Sequence, residues 1–327
     1  MDSTAADNAH FPPMELLHLG RYRLVEPLGV VGSTSRSFAA RHEDESPDGP
    51  PSYVVKLLDT SRGADGDSRR ARFEHESRLL RALNHPSIPT VHAAGEQDGM
   101  PYIVLDRVEG IGLATLCGHD TGSPRALGRD VAVYVIAQIV DAVRHMHEME
   151  IELEEGGDIV SLGVVHRGLS PASVLCSRTG DVVLWDFSCA RSRWLAPEHD
   201  DRNAGDPAYW APERLEGAAD ARSDLFSMAV MLWEMLRGQR CLAGIDTAAT
   251  REAVARFDIA QPARRVPGLS PKLGEVLRKN LDREPGRRYE DAYQMLQRLA
   301  QAPEAAAAER SREALAEFVS TMPSPGP

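Results

Sequence analysis

The segment GVVHRGLSPASVL, residues 163–175, decides how this sequence is read. Val164 and Val165 lead into the His166–Arg167 pair, Pro171 stiffens the turn that follows, and Val174 and Leu175 resume an apolar run. Apolar runs on either side of a Pro- and Ser-containing turn predict a loop hung between two buried strands. Rigidly held loops of this kind are where catalytic groups are displayed. Yet for a general base the loop offers no carboxylate, only Gly168, Ser170 and Ser173.

Around this segment the chain has the make-up of a folded protein. Its 327 residues suffice for two lobes with cores of their own. A hydrophobic share of 42% predicts globular folding. The net charge of −12 argues against nucleic acid or an anionic membrane surface as the principal partner. Cys117, Cys176, Cys189 and Cys241 show neither C-x-x-C nor zinc-finger spacing, so reduced, buried thiols in a cytoplasmic protein are expected. The opening MDSTAADNAHFPPMELLHLG has no basic stretch followed by an apolar one, so no secretory signal is visible. LFSMAVMLWEML, residues 225–236, is interrupted by Glu234 and falls well short of the ~20 residues a membrane span needs. It reads as a helix buried on nearly all sides.

The pattern changes along the chain. RYRLVEPLG and SFAARHE alternate apolar with polar residues, and YVVKLLD is strongly β-prone. One helix interrupts these strands, RRARFEHESRLLRALNHPSIP, with Phe73, Leu80 and Leu83 on one face and Asn84, Pro86 and Pro89 ending it. After PYIVLDRVEG the periodicity turns helical, as in DVAVYVIAQIVDAVRHMHE, where Val135, Ile139, Val143 and Met146 form one stripe. EDESPDGPPS (43–52) and DTSRGADGDS (59–68) have loop composition. HEMEIELEEGGDIVSLG (147–163) alternates acidic and apolar residues around Gly156–Gly157, which predicts a small hairpin. An Ala/Glu/Arg-rich helix follows Pro303 (about 304–318), and MPSPGP reads as a disordered tail. The expected organisation is a leader (1–20), a β-rich lobe (21–105), a larger helical lobe (106–301) and a C-terminal helix with tail (302–327).

In order, these pieces resemble the protein kinase superfamily, specifically the bacterial eukaryotic-like serine/threonine kinases, over about residues 21–301. LGVVGSTSRSFAAR stands at the glycine-rich loop, YVVKLL at the strand bearing the nucleotide lysine (Lys56), and FEHESRLLRALNHPSI at the helix with its partner glutamate (Glu76). YIVLDRVEG looks like the hinge, VVHRGLSPASVL like the catalytic loop, and LWDFSCAR like the metal-binding motif, with Asp186 and Phe187. GDPAYWAPE, SDLFSMAVMLWEMLRG and LDREPGRRYEDA match the end of the activation segment (Glu213), the central helix (Asp224) and the arginine that partners the glutamate (Arg288). A lone match would be weak; this order and spacing are not. The resemblance implies an α+β, bilobal fold.

Read residue by residue, the chemistry departs from that pattern. Val54, Lys56 and Leu58 share one strand face, so the ammonium points where apolar neighbours point and needs an anion. Glu76 lies in the apolar stripe of its helix, with the opposite need. A Lys56–Glu76 pair follows, either gripping nucleotide phosphates or purely structural. The phosphate loop keeps Gly29 and Gly32, but Val30 and Val31 intrude and Ser35 stands near the third glycine position. In the family a carboxylate takes the proton of the substrate hydroxyl; that position here is Gly168. The lysine that neutralises the moving phosphoryl is Ser170, and the asparagine that holds a second magnesium is Ser173. Loss of a positioned base typically costs about 10²–10⁴ in rate. Asp186 remains to bind one magnesium, but the glycine after Phe187 is Ser188, and Asp206 replaces a threonine of the activation segment. Between Trp194 and Tyr209 there is no Ser or Thr. Arg167, which in the family receives a phosphate from that segment, faces Glu198, Asp200, Asp201 and Asp206 as candidate permanent anions, unless that run is merely a solvated loop.

His166, Arg167, Leu169, Pro171, Phe187, Glu213, Asp224 and Arg288 keep the family pattern while the chemistry is lost. The expectation is a pseudokinase: a regulatory or scaffolding protein with protein partners, ATP and magnesium resting on Lys56, Glu76 and Asp186 if they bind. The alternative is a weak or unconventional serine/threonine kinase in which Asp186 or Asp206 takes over the charge work. The acidic stretch 147–163 and the C-terminal helix are the candidate binding surfaces.

Overall fold

YVVKLL forms the middle of a sheet because β-branched and aliphatic side chains fit a strand buried on both faces. The computed structural model describes residues 18–31, 35–58, 65–153, 156–260 and 266–322. Within them the chain divides into two units, one built from residues up to Arg81 plus Pro89–Arg107, the other from Ala82–Ile88 and Val108 onward.

The first unit is an antiparallel sheet of β1 (His18–Leu19), β2 (Tyr22–Val31), β3 (Ser35–His42), β4 (Tyr53–Leu58), β5 (Val91–Gln97) and β6 (Met100–Asp106). Their order across the sheet is β1-β2-β3-β4-β6-β5. Helix α1 (Gly66–Ala82) enters between β4 and β5. β4 lies between β3 and β6, with Lys56 opposite Ser37 on one side and Ile103 on the other. One cluster of the core holds Leu19, Tyr22, Leu24, Phe38, Val55, Leu57 and Val104. Two details differ from the sequence reading. His18–Leu19, assigned to a leader, pairs with Arg23 and Tyr22 as β1. The loop assigned to 59–68 ends early, because α1 starts at Gly66 with Asp67 in its first turn, where a carboxylate favours the helix dipole. Residues 59–64 lie outside the described residues.

The second unit is mainly helical, as its periodicity requires. Its elements are β7 (Gly110–Gly112), α2 (Leu113–Leu116), α3 (Arg129–His147), β8 (Glu150–Glu152), β9 (Ile159–Ser161), β10 (Val174–Ser177) and β11 (Val182–Leu184), then α4 (Ala221–Arg237), α5 (Thr247–Ala255), α6 (Pro271–Asn280), α7 (Ala292–Ala300) and α8 (Ala308–Thr321). β7, β10 and β11 form a small sheet, and β8 pairs with β9 as the hairpin expected around Gly156–Gly157. Helix α4 is buried from Ser223 through Met235, in keeping with its all-round apolar sequence. It stops at Gly238, where φ is +62° and a Cβ would lie 2.3 Å from the Ala126 nitrogen. None of the described helices is long and apolar enough to cross a membrane. The C-terminal helix begins four residues later than read, after a 3₁₀ turn at Pro303–Ala307. It is no free surface element: Leu315 and Val319 are fully buried and Arg312 pairs with Asp181 at 3.0 Å. Residues 323–327 of the tail lie outside the described residues.

Candidate catalytic loop and its neighbours

In the first unit, Lys56 and Glu76 meet as their neighbours' apolarity demands. Lys56 Nζ donates to Glu76 Oε1 at 2.7 Å and to Oε2 at 2.8 Å. The two side chains are only 3% and 1% exposed. A pair so deeply desolvated holds strand and helix in register whatever else it binds. Gly29 lies in β2 opposite Ser37, just past a register irregularity at Pro27–Gly29, and strand pairing continues through Val31. Gly32 falls outside the described residues.

In the second unit the loop is pinned by one buried carboxylate. Asp224, in the first turn of α4, accepts from the His166 N–H at 2.8 Å, the Arg167 N–H at 2.9 Å and His147 Nε2 at 2.8 Å. Those bonds hold Arg167 at φ +60°, a left-handed conformation unusual for a non-glycine residue. Burial pushes the Asp224 pKa up, but the hydrogen bond and charge of His147 and the bonds at His166 outweigh it, so the net shift is downward. A depressed native pKa stabilises the fold above the unfolded carboxylate value and withdraws that stability as pH falls through the native one. Asp224→Asn is therefore expected to flatten the acid limb of unfolding free energy below about pH 5. Urea titrations across that range check it; an unchanged slope would remove Asp224 as the source. Beside it, burial lowers the pKa of His166, whose ring lies 4.9 Å from that of Phe187.

Gly168 is not an empty pocket. A Cβ placed on it would meet Cys189 Cβ at 3.0 Å, Cys189 Sγ at 3.2 Å and His166 Nδ1 at 3.6 Å. These nearest atoms include no carboxylate. From another side Gly205, at φ +88°, packs so that its own Cβ would lie 2.8 Å from the Arg167 carbonyl oxygen and 3.5 Å from Gly168 Cα. Ser170 and Ser173 close on each other: the Ser173 hydroxyl donates to the Ser170 carbonyl at 2.8 Å and accepts from the Ser170 N–H at 3.1 Å. Asp186 follows β11, and its Oδ1 accepts from the Ser188 N–H at 3.1 Å.

The acidic run of the activation segment resolves into separate jobs. Arg167 Nη2 donates to Asp200 Oδ1 at 2.6 Å, with the two side chains 4% and 8% exposed, while its Nε donates to the Cys189 carbonyl at 3.0 Å. Asp200 is thus the internal anion, reinforced by Arg191 at 3.9 Å. Asp206 instead accepts from the Ala208 N–H at 2.9 Å and lies 3.6 Å from Arg240. Asp201 accepts from the Asn203 N–H at 2.9 Å. Removing the charge as Asp200→Asn leaves a buried guanidinium uncompensated, a loss of about 3 kcal/mol. The expected result is a lowered melting temperature and faster proteolytic cleavage between Leu195 and Gly205, with Asp200→Glu close to wild type. Equal cleavage in all three proteins would show the contact to be idle.

Glu213 and Arg288 pair as the resemblance implied, through two bonds of 2.7 Å, and Ser223 adds a third at 2.7 Å. One functional-looking residue was missed. Glu234, read only as an interruption of an apolar run, is fully buried, accepting from Tyr209 Oη at 2.7 Å and the Cys241 N–H at 2.8 Å, while burial raises its pKa. A carboxylate inside the apolar run of residues 225–236 was the signal for it.

Comparison with known proteins agrees with this architecture. The protein kinase domain family matches residues 22–299. The chain is similar to serine/threonine-protein kinase PknB of Mycolicibacterium smegmatis, 30% identical over 286 residues, covering 84% of this chain and 42% of the relative. It is similar also to PknB of Mycobacterium tuberculosis H37Rv (31%; 84% and 42%) and to serine/threonine-protein kinase PknJ of Mycobacterium bovis (32%; 83% and 43%). The chain spans less than half the length of these relatives. With a β-sheet N-terminal region, a helical C-terminal region and this match across most of its length, the chain belongs to the protein kinase domain family.

Proposed function

We propose that this chain is a kinase-family domain that has given up phosphoryl transfer and works as a regulatory or scaffolding protein in signalling. The observation that carries it is the packing at Gly168: where the family's pattern asks for a carboxylate, the nearest atoms are the Cβ and thiol of Cys189 and a ring nitrogen of His166. Without a positioned base the transfer barrier rises by about 3–5 kcal/mol. Ser173, at the position of the second metal ligand, has its hydroxyl engaged with Ser170.

Nucleotide binding is a separate matter. The Lys56–Glu76 pair has the geometry the resemblance assigns to a phosphate grip, and Asp186 is the carboxylate assigned to magnesium. Among the described residues no three His, Cys, Asp or Glu side chains cluster to hold a metal by themselves. Magnesium would therefore arrive with the nucleotide, which supplies oxygen ligands of its own. The four free cysteines agree with a reducing, cytoplasmic setting.

The names of the relatives favour a second reading, a serine/threonine kinase with weak activity. One assay separates the two. Purified protein with radiolabelled ATP, magnesium or manganese and a general protein acceptor is expected to incorporate no phosphate above an Asp186→Ala control. Incorporation abolished by Asp186→Ala would establish the kinase. A thermal shift with saturating Mg-ATP is expected for the wild type and not for Lys56→Met; no shift in either would make Lys56 and Glu76 structural only.

A further inference from the structure

The hairpin of β8 and β9 stands apart from everything above. It follows α3 and runs directly into the pinned loop. Leu162 N–H bonds to the Met149 carbonyl at 2.8 Å, and the Arg193 N–H to the Leu162 carbonyl at 3.0 Å. Its register sets Glu150 opposite Ser161, Ile151 opposite Val160 and Glu152 opposite Ile159. One face therefore carries Glu150, Glu152 and Ile159, all exposed, while Ile151 and Val160 are half-buried on the other. Ile159 is 69% exposed and Leu153, at the end of β8, 56%. The chain has no Lys or Arg between Arg144 and Arg167. Among the described residues the sheet ends after two strands, so β8 pairs along one edge only, and an open edge is the feature that templates strand addition.

We infer that this hairpin docks an extended segment of a partner protein, alternating Lys or Arg with β-branched residues, as a third strand beside β8. Main-chain bonds to the open edge supply pairing; the cationic side chains fall on the face of Glu150 and Glu152, and the β-branched ones between them on the face of Ile151 and the exposed Leu153. Charge decides the occupant. A second copy pairing β8 with β8 would set glutamates against glutamates, which is destabilising. Nucleic acid and anionic lipid are repelled for the same reason. A strand alternating cationic and β-branched residues satisfies both the carboxylates on one face and the exposed Leu153 on the other.

The inference supplies a partner chemistry for the proposed binding role, and peptide binding is read separately from phosphate incorporation, so either can fail alone. The probes are two labelled eight-residue peptides of equal composition, one alternating Lys with Val, the other four Lys followed by four Val. Fluorescence anisotropy with the full chain is expected to show the alternating peptide binding about tenfold more tightly, a difference that narrows as salt rises. Glu150→Lys should weaken it by about tenfold or more and Leu153→Ser by severalfold, with melting temperatures unchanged because these side chains are exposed. Amide exchange should slow on binding at residues 150–153. Absence of binding, equal binding of the two peptides or by the variants, or protection elsewhere would overturn it.

Discussion

Lys56→Met is expected to lower the unfolding free energy by about 3–5 kcal/mol, because it takes the ammonium away from the buried Glu76. Its carboxylate would face a site where both oxygens were bonded to one ammonium, at 2.7 and 2.8 Å. Lys56→Met combined with Glu76→Leu should recover most of that loss, since apolar replacements of similar volume remove the desolvation penalty together with the attraction. Urea denaturation of the two single variants and the double variant gives the coupling energy directly. A double variant no more stable than the singles would show that each group is held by other contacts. The same protein sharpens the nucleotide question, for it should fold well and yet show no thermal shift with Mg-ATP.

Gly168→Asp is expected neither to confer phosphoryl transfer nor to fold as well as the wild type. A Cβ there already meets Cys189 Cβ at 3.0 Å, and a carboxyl needs more room than a methyl. Overpacking of this kind typically costs about 1–3 kcal/mol. Cys189→Gly added to Gly168→Asp should regain stability, because the two side chains compete for one space. It should still transfer no phosphate, since Ser170 offers no cation and Ser173 no metal ligand. Phosphate incorporation by Gly168→Asp alone, at wild-type stability, would show that the loop yields and that a carboxylate at this one position suffices for transfer.

What the sequence made legible follows from period and spacing. The strand of Lys56, the helix of Glu76 and the hairpin at Gly156–Gly157 are local patterns, and each lies where its pattern put it. Asp224 and Arg288 were legible through motif spacing, and Glu213 met Arg288 as expected. Tertiary choices were not legible. Four acidic residues were offered to Arg167, and only folding selects Asp200, since the others cap turns or face elsewhere. Nothing in LWDFSCAR says that Cys189 will fill the space beside Gly168; that contact joins residues 21 positions apart across a turn. The start of α1 inside a polar stretch was missed because loop composition and an acidic first turn look alike in sequence.

Of the four cysteines, Cys117, Cys176 and Cys241 are buried and Cys189 alone is partly exposed. Burial, with Asp186 nearby, pushes its thiol up to about 11, so it is protonated and slow toward maleimides near neutrality. Burial takes Cys117 to about 12 and Cys176 higher still. The molecule therefore contains its own chemical reporter: the rate at which Cys189 is alkylated reads how well the packing beside Gly168 shields its thiol, with no label engineered in.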